Sequence, residues 1–370
     1  MQYILIPRAL QIDLDDIGWL NGYDDREQGG PSRTGISRRH VPEDYYALNE
    51  VGKRLNMRLN CSIVVGEWDP DNRLADVPYL SKYGKDWDNA AHNKEEEIRC
   101  HAEALNNCPY IDVAIHGLLH GYYMEGVDNP DESDFYYQKN HELIMVDEAE
   151  IRHRFDRFFD ILDYYGIKKK VVSFIPPSGR YRWNELSRIL ADYGILYAGP
   201  VYDWMKCEGE RPDLVGIENG IISYDRNFNF VHWDKLNERF SRYPLTNGVM
   251  GVHWPNFLHL DPTKNGANLE DAVAYFKACG AQFGTILSRG VEFYATQVLY
   301  NRFAKCSEDA TTLTVDITDV PEAKGKLNCF YISAKEEITR HTGCEIELYE
   351  RFDGHINYKV TPTAKVMTFG

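Results

Sequence analysis

The sequence predicts an α/β protein: a parallel sheet closed or partly closed into a barrel over residues 1–298, then a small β-rich domain over 299–370. Three observations carry this. Short apolar runs bounded by turn residues alternate with stretches of helical periodicity, which is the pattern of buried parallel strands and their crossover helices. Six or seven such units occupy roughly 290 residues, which favours a curled sheet over an open doubly wound one. After about Leu299 the apolar period switches to two.

In chain order, the expected strands are Leu10 to Leu14, Cys61 to Val65, Ile111 to Ile115, Val171 to Ile175, Ile195 to Ala198 and Val249 to Val252. Between them, Glu43 to Met57, Asn93 to Asn106, Asp147 to Tyr165 and Trp183 to Tyr193 place apolar residues three and four apart, as amphipathic helices do. Gly166 and Gly194 stand where helix C-caps belong. Thr311 to Thr318 alternates with period two, and Asn328 to Ser333, Glu345 to Arg351 and His355 to Val360 extend the β-rich tail. The Gly-rich, charged stretch from Gly18 to His40 follows the first strand and is too long for a plain connection.

Composition narrows the function classes. The chain of 370 residues is 43% hydrophobic and 26% charged, enough apolar material for a full core. A formal net charge of −16 repels phosphate backbones, so nucleic acid is excluded as an expected partner. No apolar run is long enough for a membrane-spanning helix, and the first residues lack the charged and apolar regions of a secretion signal. The expected location is therefore the cytoplasm, and the eight scattered cysteines, with no CxxC pair, read as buried thiols.

The residues that carry chemistry fall at strand ends, where α/β folds build their sites. The first strand ends in the adjacent acids Asp15 and Asp16, whose mutual repulsion a cation or a proton must relieve. The third runs into His116 and His120, four apart, which on a helical turn project from one face toward a shared ion. Pro176, Pro177, Ser178 and Gly179 follow the fourth strand, and His253, Trp254 and Pro255 end a late one. Taken singly, each segment also reads as a solvated turn, a core histidine or a rigid loop; their order, each at a strand end, joins them into one site.

This ordered set resembles the polysaccharide deacetylase superfamily, the NodB-homology or carbohydrate esterase family 4 enzymes, over roughly residues 5 to 295. Asp15 and Asp16 match its opening acid pair, His116 and His120 its spaced histidines, Pro176 to Gly179 approximate its third motif, and Val252 with His253 match its fifth. The resemblance implies a distorted (β/α)7-type barrel. It also implies a divalent metal, usually zinc, held by Asp16, His116 and His120, with Asp15 as general base and His253 as general acid. The set of one oxygen and two nitrogen ligands suits zinc, with cobalt or iron as alternatives. Pro177, Ser178, Asp203 and Trp254 are the expected substrate contacts, and His259 reads as part of a turn.

Two departures mark the chain as divergent. Ile175 stands where the third motif begins with an arginine that pairs with the base, and Pro200 stands where the fourth carries the acid that orients the catalytic histidine. Arg33, Arg38, Arg39 and Arg180 are the candidates to replace that arginine. The expected activity is removal of an N-acetyl or O-acetyl group from a sugar or polysaccharide precursor, with a homodimer as a possible assembly. The alternatives are hydrolysis of a small non-sugar amide, or a catalytically silent barrel that binds carbohydrate or serves as a scaffold.

Overall fold

The computed structural model describes residues 3–23, 35–127, 133–206, 212–226, 231–236, 238–243, 245, 248–309 and 312–370. Arg33, Cys207 and Thr311 lie outside the described residues. A nine-stranded sheet forms the centre. Its strands are β1 (Arg8–Ile17), β2 (Leu59–Val64), β3 (Ile111–Gly117), β4 (Ser173–Phe174), β5 (Tyr197–Ala198), β6 (Val215–Glu218), β7 (Ile221–Tyr224), β8 (Val249–His253) and β9 (Thr285–Leu287). Their order is β6-β7-β5-β4-β3-β2-β1-β8, with β9 beside the start of β1. All pairings are parallel except the hairpin β6–β7.

Every residue of β1 after Arg8 is buried, as in a strand covered on both faces. The crossovers are made by α1 (Pro42–Leu55), α2 (Glu95–Asn106), α3 (Glu148–Tyr164) and α4 (Glu185–Asp192), near the expected helices. Helix α1 shows why its sequence folds locally. Pro42 opens it, Asp44 accepts the Val41 N–H at 3.1 Å, Lys53 and Arg54 close it, and Asn56 turns left-handed at its end.

The closed barrel is not formed among the described residues. No strand pairing joins β8 to β6 or β7; Val231 instead donates its N–H to Gly251 of β8 at 2.9 Å. The sheet nevertheless curls, because Tyr224 of β7 reaches Asp13 of β1 and Asn60 of β2 across the interior. The antiparallel β6–β7 hairpin at the far edge, turned through left-handed Asn219 and Gly220, replaces a further βα unit. That hairpin, β9, α5 (Leu269–Gly280) and α6 (Val291–Phe303) are additions to the elements read from sequence.

The C-terminal part holds β10 (Lys305–Glu308), β11 (Leu313–Asp316), β12 (Phe330–Ala334), β13 (His341–Thr342), β14 (Cys344–Phe352), β15 (His355–Pro362) and β16 (Val366–Phe369). They form two four-stranded antiparallel sheets, one completed by the short N-terminal strand Ile4–Leu5 pairing with β12. The 298/299 division falls inside α6, whose buried Gln297 donates to Pro7 O at 3.0 Å and Tyr331 O at 2.9 Å. One apolar cluster runs from Ala9 and Ile286 through α6 to Phe330 and Phe369. No disulfide occurs among the described cysteines; Cys61, Cys108 and Cys344 are buried, whereas Cys100 and Cys306 are exposed. No helix among the described residues is long and apolar enough to cross a membrane.

Candidate metal centre

Two bulges at the C-terminal end of the sheet build the site. A regular strand would send Asp15 and Asp16 to opposite faces. The β1–β2 register shifts between Leu14 and Ile17, and Asp16 adopts a left-handed backbone with φ 68°, so one extra residue is accommodated. On the other edge of β2, the β2–β3 register shifts so that Ile63 faces Ile115 while Val64 faces Gly117, leaving His116 as the extra residue. Both bulges lie against the same central strand. They turn Asp16 and His116 toward each other.

Three donor atoms converge there. Asp16 Oδ1 lies 3.3 Å from His116 Nε2 and 3.5 Å from His120 Nε2. The three groups are buried, and their ligand atoms lie within 4.8 Å of one another. Ligands held at about 2.1 Å on the corners of a tetrahedron stand about 3.4 Å apart, so these spacings fit a zinc-sized ion. His116 donates its Nδ1–H to Ile175 O, 2.7 Å away, which fixes its ring and leaves Nε2 for the ion. Burial works to raise the Asp16 carboxyl, but His120, His116 and His253 outweigh it and hold it below the usual carboxylate range.

The His116–His120 segment is not the helical turn expected from its spacing. His116 belongs to β3, Gly117 has φ 152° and His120 has φ 53°, values no α-helix contains. The pair still meets, with ring centroids 4.5 Å apart.

Asp15 is held by groups that the motif reading did not identify. Arg226 approaches it with Nη1 3.0 Å from Oδ2 and Nη2 3.1 Å from Oδ1, and Ser62 Oγ donates to Oδ1 at 2.9 Å. Arg226 Nε also lies 3.5 Å from Asp13 Oδ2. Asp13 accepts from Asn60 Nδ2 at 3.1 Å and Tyr224 OH at 3.0 Å, and burial pushes its carboxyl up to about 6 against the pull of Arg226. The cation beside Asp15 is thus Arg226, which follows β7 and whose N–H donates to Pro200 O at 3.0 Å. Arg38 is committed to Asp44 and Arg39 to Glu97. The strand-tip rule would have pointed to Arg226 had the apolar run Ile221 to Tyr224 been read as a strand.

His253 pairs in register with Asp15 on the neighbouring strand. Its Nδ1 lies 2.9 Å from Val231 O and its N–H donates to Asn256 Oδ1 at 2.7 Å, which leaves Nε2 facing Asp16 Oδ2 at 3.7 Å. A backbone carbonyl therefore occupies the role expected of an acid at position 200. A carbonyl has no sequence signature, so no motif could have shown it.

The expected substrate contacts fall into two groups. Pro177 and Ser178 lie in the turn just after Ile175, Ser178 with φ 50° and its hydroxyl buried without a hydrogen-bond partner. Asp203 is exposed beside Trp204, whose ring packs where a Cβ on Gly179 would fall. Trp254 is fully buried, stacked on His40 at 3.4 Å and edge-on to Tyr45, and so belongs to the core behind His253. His259 caps a turn, its Nδ1 accepting the Asp261 N–H at 2.9 Å.

No family model and no curated protein matches the chain. Among solved structures, it is similar to a CE4 family pseudoenzyme from Bacillus anthracis, 12% identical over 79% of this chain and 67% of that one, with a TM-score of 0.37. It is also similar to a protein assigned as a polysaccharide deacetylase from Mycobacterium smegmatis, 14% identical over 77% of this chain and 90% of that one, TM-score 0.38. A GH57-type branching enzyme from Pyrococcus horikoshii gives 12%, 80%, 66% and 0.36 for the same quantities. Likenesses this distant assign no chemistry; the residues have to.

Proposed function

We propose that this chain is a metal-dependent hydrolase that removes an acetyl group from an acetylated sugar or polysaccharide precursor. One observation carries the reading: the convergence of Asp16, His116 and His120, with Asp15 clamped by Arg226 beside them and His253 Nε2 facing Asp16 Oδ2 at 3.7 Å. Asp16, His116 and His120 would hold a divalent ion, zinc by donor type, and three protein ligands leave a coordination position open. Such an ion supplies Lewis-acid activation of water and of a carbonyl oxygen.

The remaining work falls to the chain's own groups. Asp15, fixed by Arg226 and Ser62, has its orientation set and takes the proton of the attacking water on a carboxylate oxygen. His253, turned by Val231 O, presents Nε2 to the opposite side and gives a proton to the departing amine nitrogen. Ser178, three residues beyond the His116 anchor at Ile175, carries a buried hydroxyl without a protein hydrogen-bond partner and is the polar group of this turn that a substrate would engage if the turn shifts.

The test is acetate release from N-acetyl sugars, their nucleotide-linked forms and small acetamides, with zinc or cobalt supplied. Turnover on one of the sugars, abolished by chelation, is the expected result. Turnover confined to the small acetamides would move the substrate class, and none on any of them would leave the silent carbohydrate-binding reading.

A further inference from the structure

The turn from Leu118 to His120 has no regular secondary structure to hold it, yet it carries a ligand that must be placed to a few tenths of an ångström. What holds it is Asp134, a fully buried residue. Its carboxylate accepts three successive backbone N–H groups: Leu118 at 2.8 Å and His120 at 3.4 Å on Oδ2, and Leu119 at 3.2 Å on Oδ1. A Cβ on Gly117 would stand 1.8 Å from Asp134 Oδ2, so the carboxylate occupies the space that any larger residue there would need. Arg154, also fully buried, places Nη1 3.8 Å from Asp134 Oδ1. It is anchored by Nη2 donating to Pro78 O at 2.7 Å and lies over the Tyr122 ring, two residues beyond His120.

Burying a carboxylate and a guanidinium this deeply costs more than apolar packing would. Three N–H groups gathered on one anion form a concave backbone nest. Here the anion is part of the protein, and the nest ends on His120 in its left-handed conformation.

We propose that Asp134 is a positioning residue for the metal centre. It touches none of the ligand atoms, but by gathering the Leu118, Leu119 and His120 N–H groups it fixes the direction of the His120 ring, so that affinity and coordination geometry depend on it. Arg154, 3.8 Å from Oδ1, opposes the cost of burying that carboxylate and holds it in place. This rests on the metal reading above.

The experiment compares wild type with Asp134→Asn, reading Zn2+ affinity by chelator competition and the visible absorption of the Co2+-loaded protein. Asn keeps the shape but turns an NH2 group toward backbone donors. The expected result is a 10- to 100-fold weaker Zn2+ affinity, the size found when groups that orient ligands are lost, together with an altered Co2+ spectrum. Far-UV circular dichroism should be unchanged. If Asp134→Asn is recovered unfolded, Asp134→Glu takes its place: it keeps the charge but displaces the carboxylate, and the same tenfold criterion applies. A folded variant with wild-type affinity and a wild-type Co2+ spectrum would overturn the proposal while leaving the metal reading intact. A wild type that binds neither ion would overturn the metal reading and this proposal with it.

Discussion

Arg226 meets Asp15 end-on, its two terminal nitrogens 3.0 and 3.1 Å from the two carboxylate oxygens, with both side chains almost wholly removed from solvent. A fork of two parallel hydrogen bonds fixes a carboxylate's plane as well as its position. Replacing Arg226 by Met should therefore do two things. It leaves Asp15 and Asp13 buried without their cation, which should cost about 3–5 kcal/mol in chemical denaturation. It should also lower kcat while zinc content stays at the wild-type level. A stable Arg226→Met with full turnover would show that the pair is ornamental.

The adjacent acids should separate by role. Asp15→Asn should retain zinc and lose turnover by about 10²-fold or more, as for loss of a general base. Asp16→Asn should lose zinc first, with activity following metal content. Elemental analysis beside kinetics on each variant reads both, and swapped outcomes would reverse the assignments.

His253→Ala should keep zinc and lose about 10²–10⁴ of its rate, and it should suffer less on an activated ester whose leaving group needs no proton. His259→Ala should stay near wild type in rate, since that side chain serves the Asp261 turn. Paired kinetics on amide and ester decide the matter; equal losses on both substrates would remove the proton-donor role.

His101 sets a pH dependence of stability. It is 1% exposed, and burial, reinforced by the nearby His40, lowers its pKa from 6.5 to about 3. The unfolded chain takes up a proton near 6.5 and the folded chain does not, so this contribution is complete above 6.5 and is lost as pH falls toward 3. The amount is on the order of 5 kcal/mol. His101→Phe should flatten the loss of stability between pH 6 and pH 4, measured as urea midpoints against pH. Parallel curves for the two proteins would contradict the assignment.

Much of the site was legible in sequence because its residues stand at strand ends, and runs such as Leu10 to Leu14 or Ile111 to Ile115 are apolar enough to be read as strands. What the periodicity could not show is where it breaks. The bulges at Asp16 and His116 turn neighbouring residues into one cluster, and both depend on backbone angles that an Asp or a His does not advertise. The strand Ile221 to Tyr224 is only four residues long, and without it Arg226 had no address. His253 is oriented by a carbonyl, and among the described residues Val231, rather than β6 or β7, donates to β8. In each case the deciding group is backbone, or a side chain far away in sequence.

An ion held by Asp16, His116 and His120 is tested most directly by anomalous scattering at the zinc edge from crystals of zinc-loaded protein. The expected result is one strong peak bonded to an Asp16 carboxylate oxygen and to Nε2 of both His116 and His120 at about 2.0–2.2 Å. That peak should be absent from His120→Ala crystals treated alike. A zinc-loaded protein with no peak between these three residues, or with its ion bound elsewhere, would rule out this metal centre.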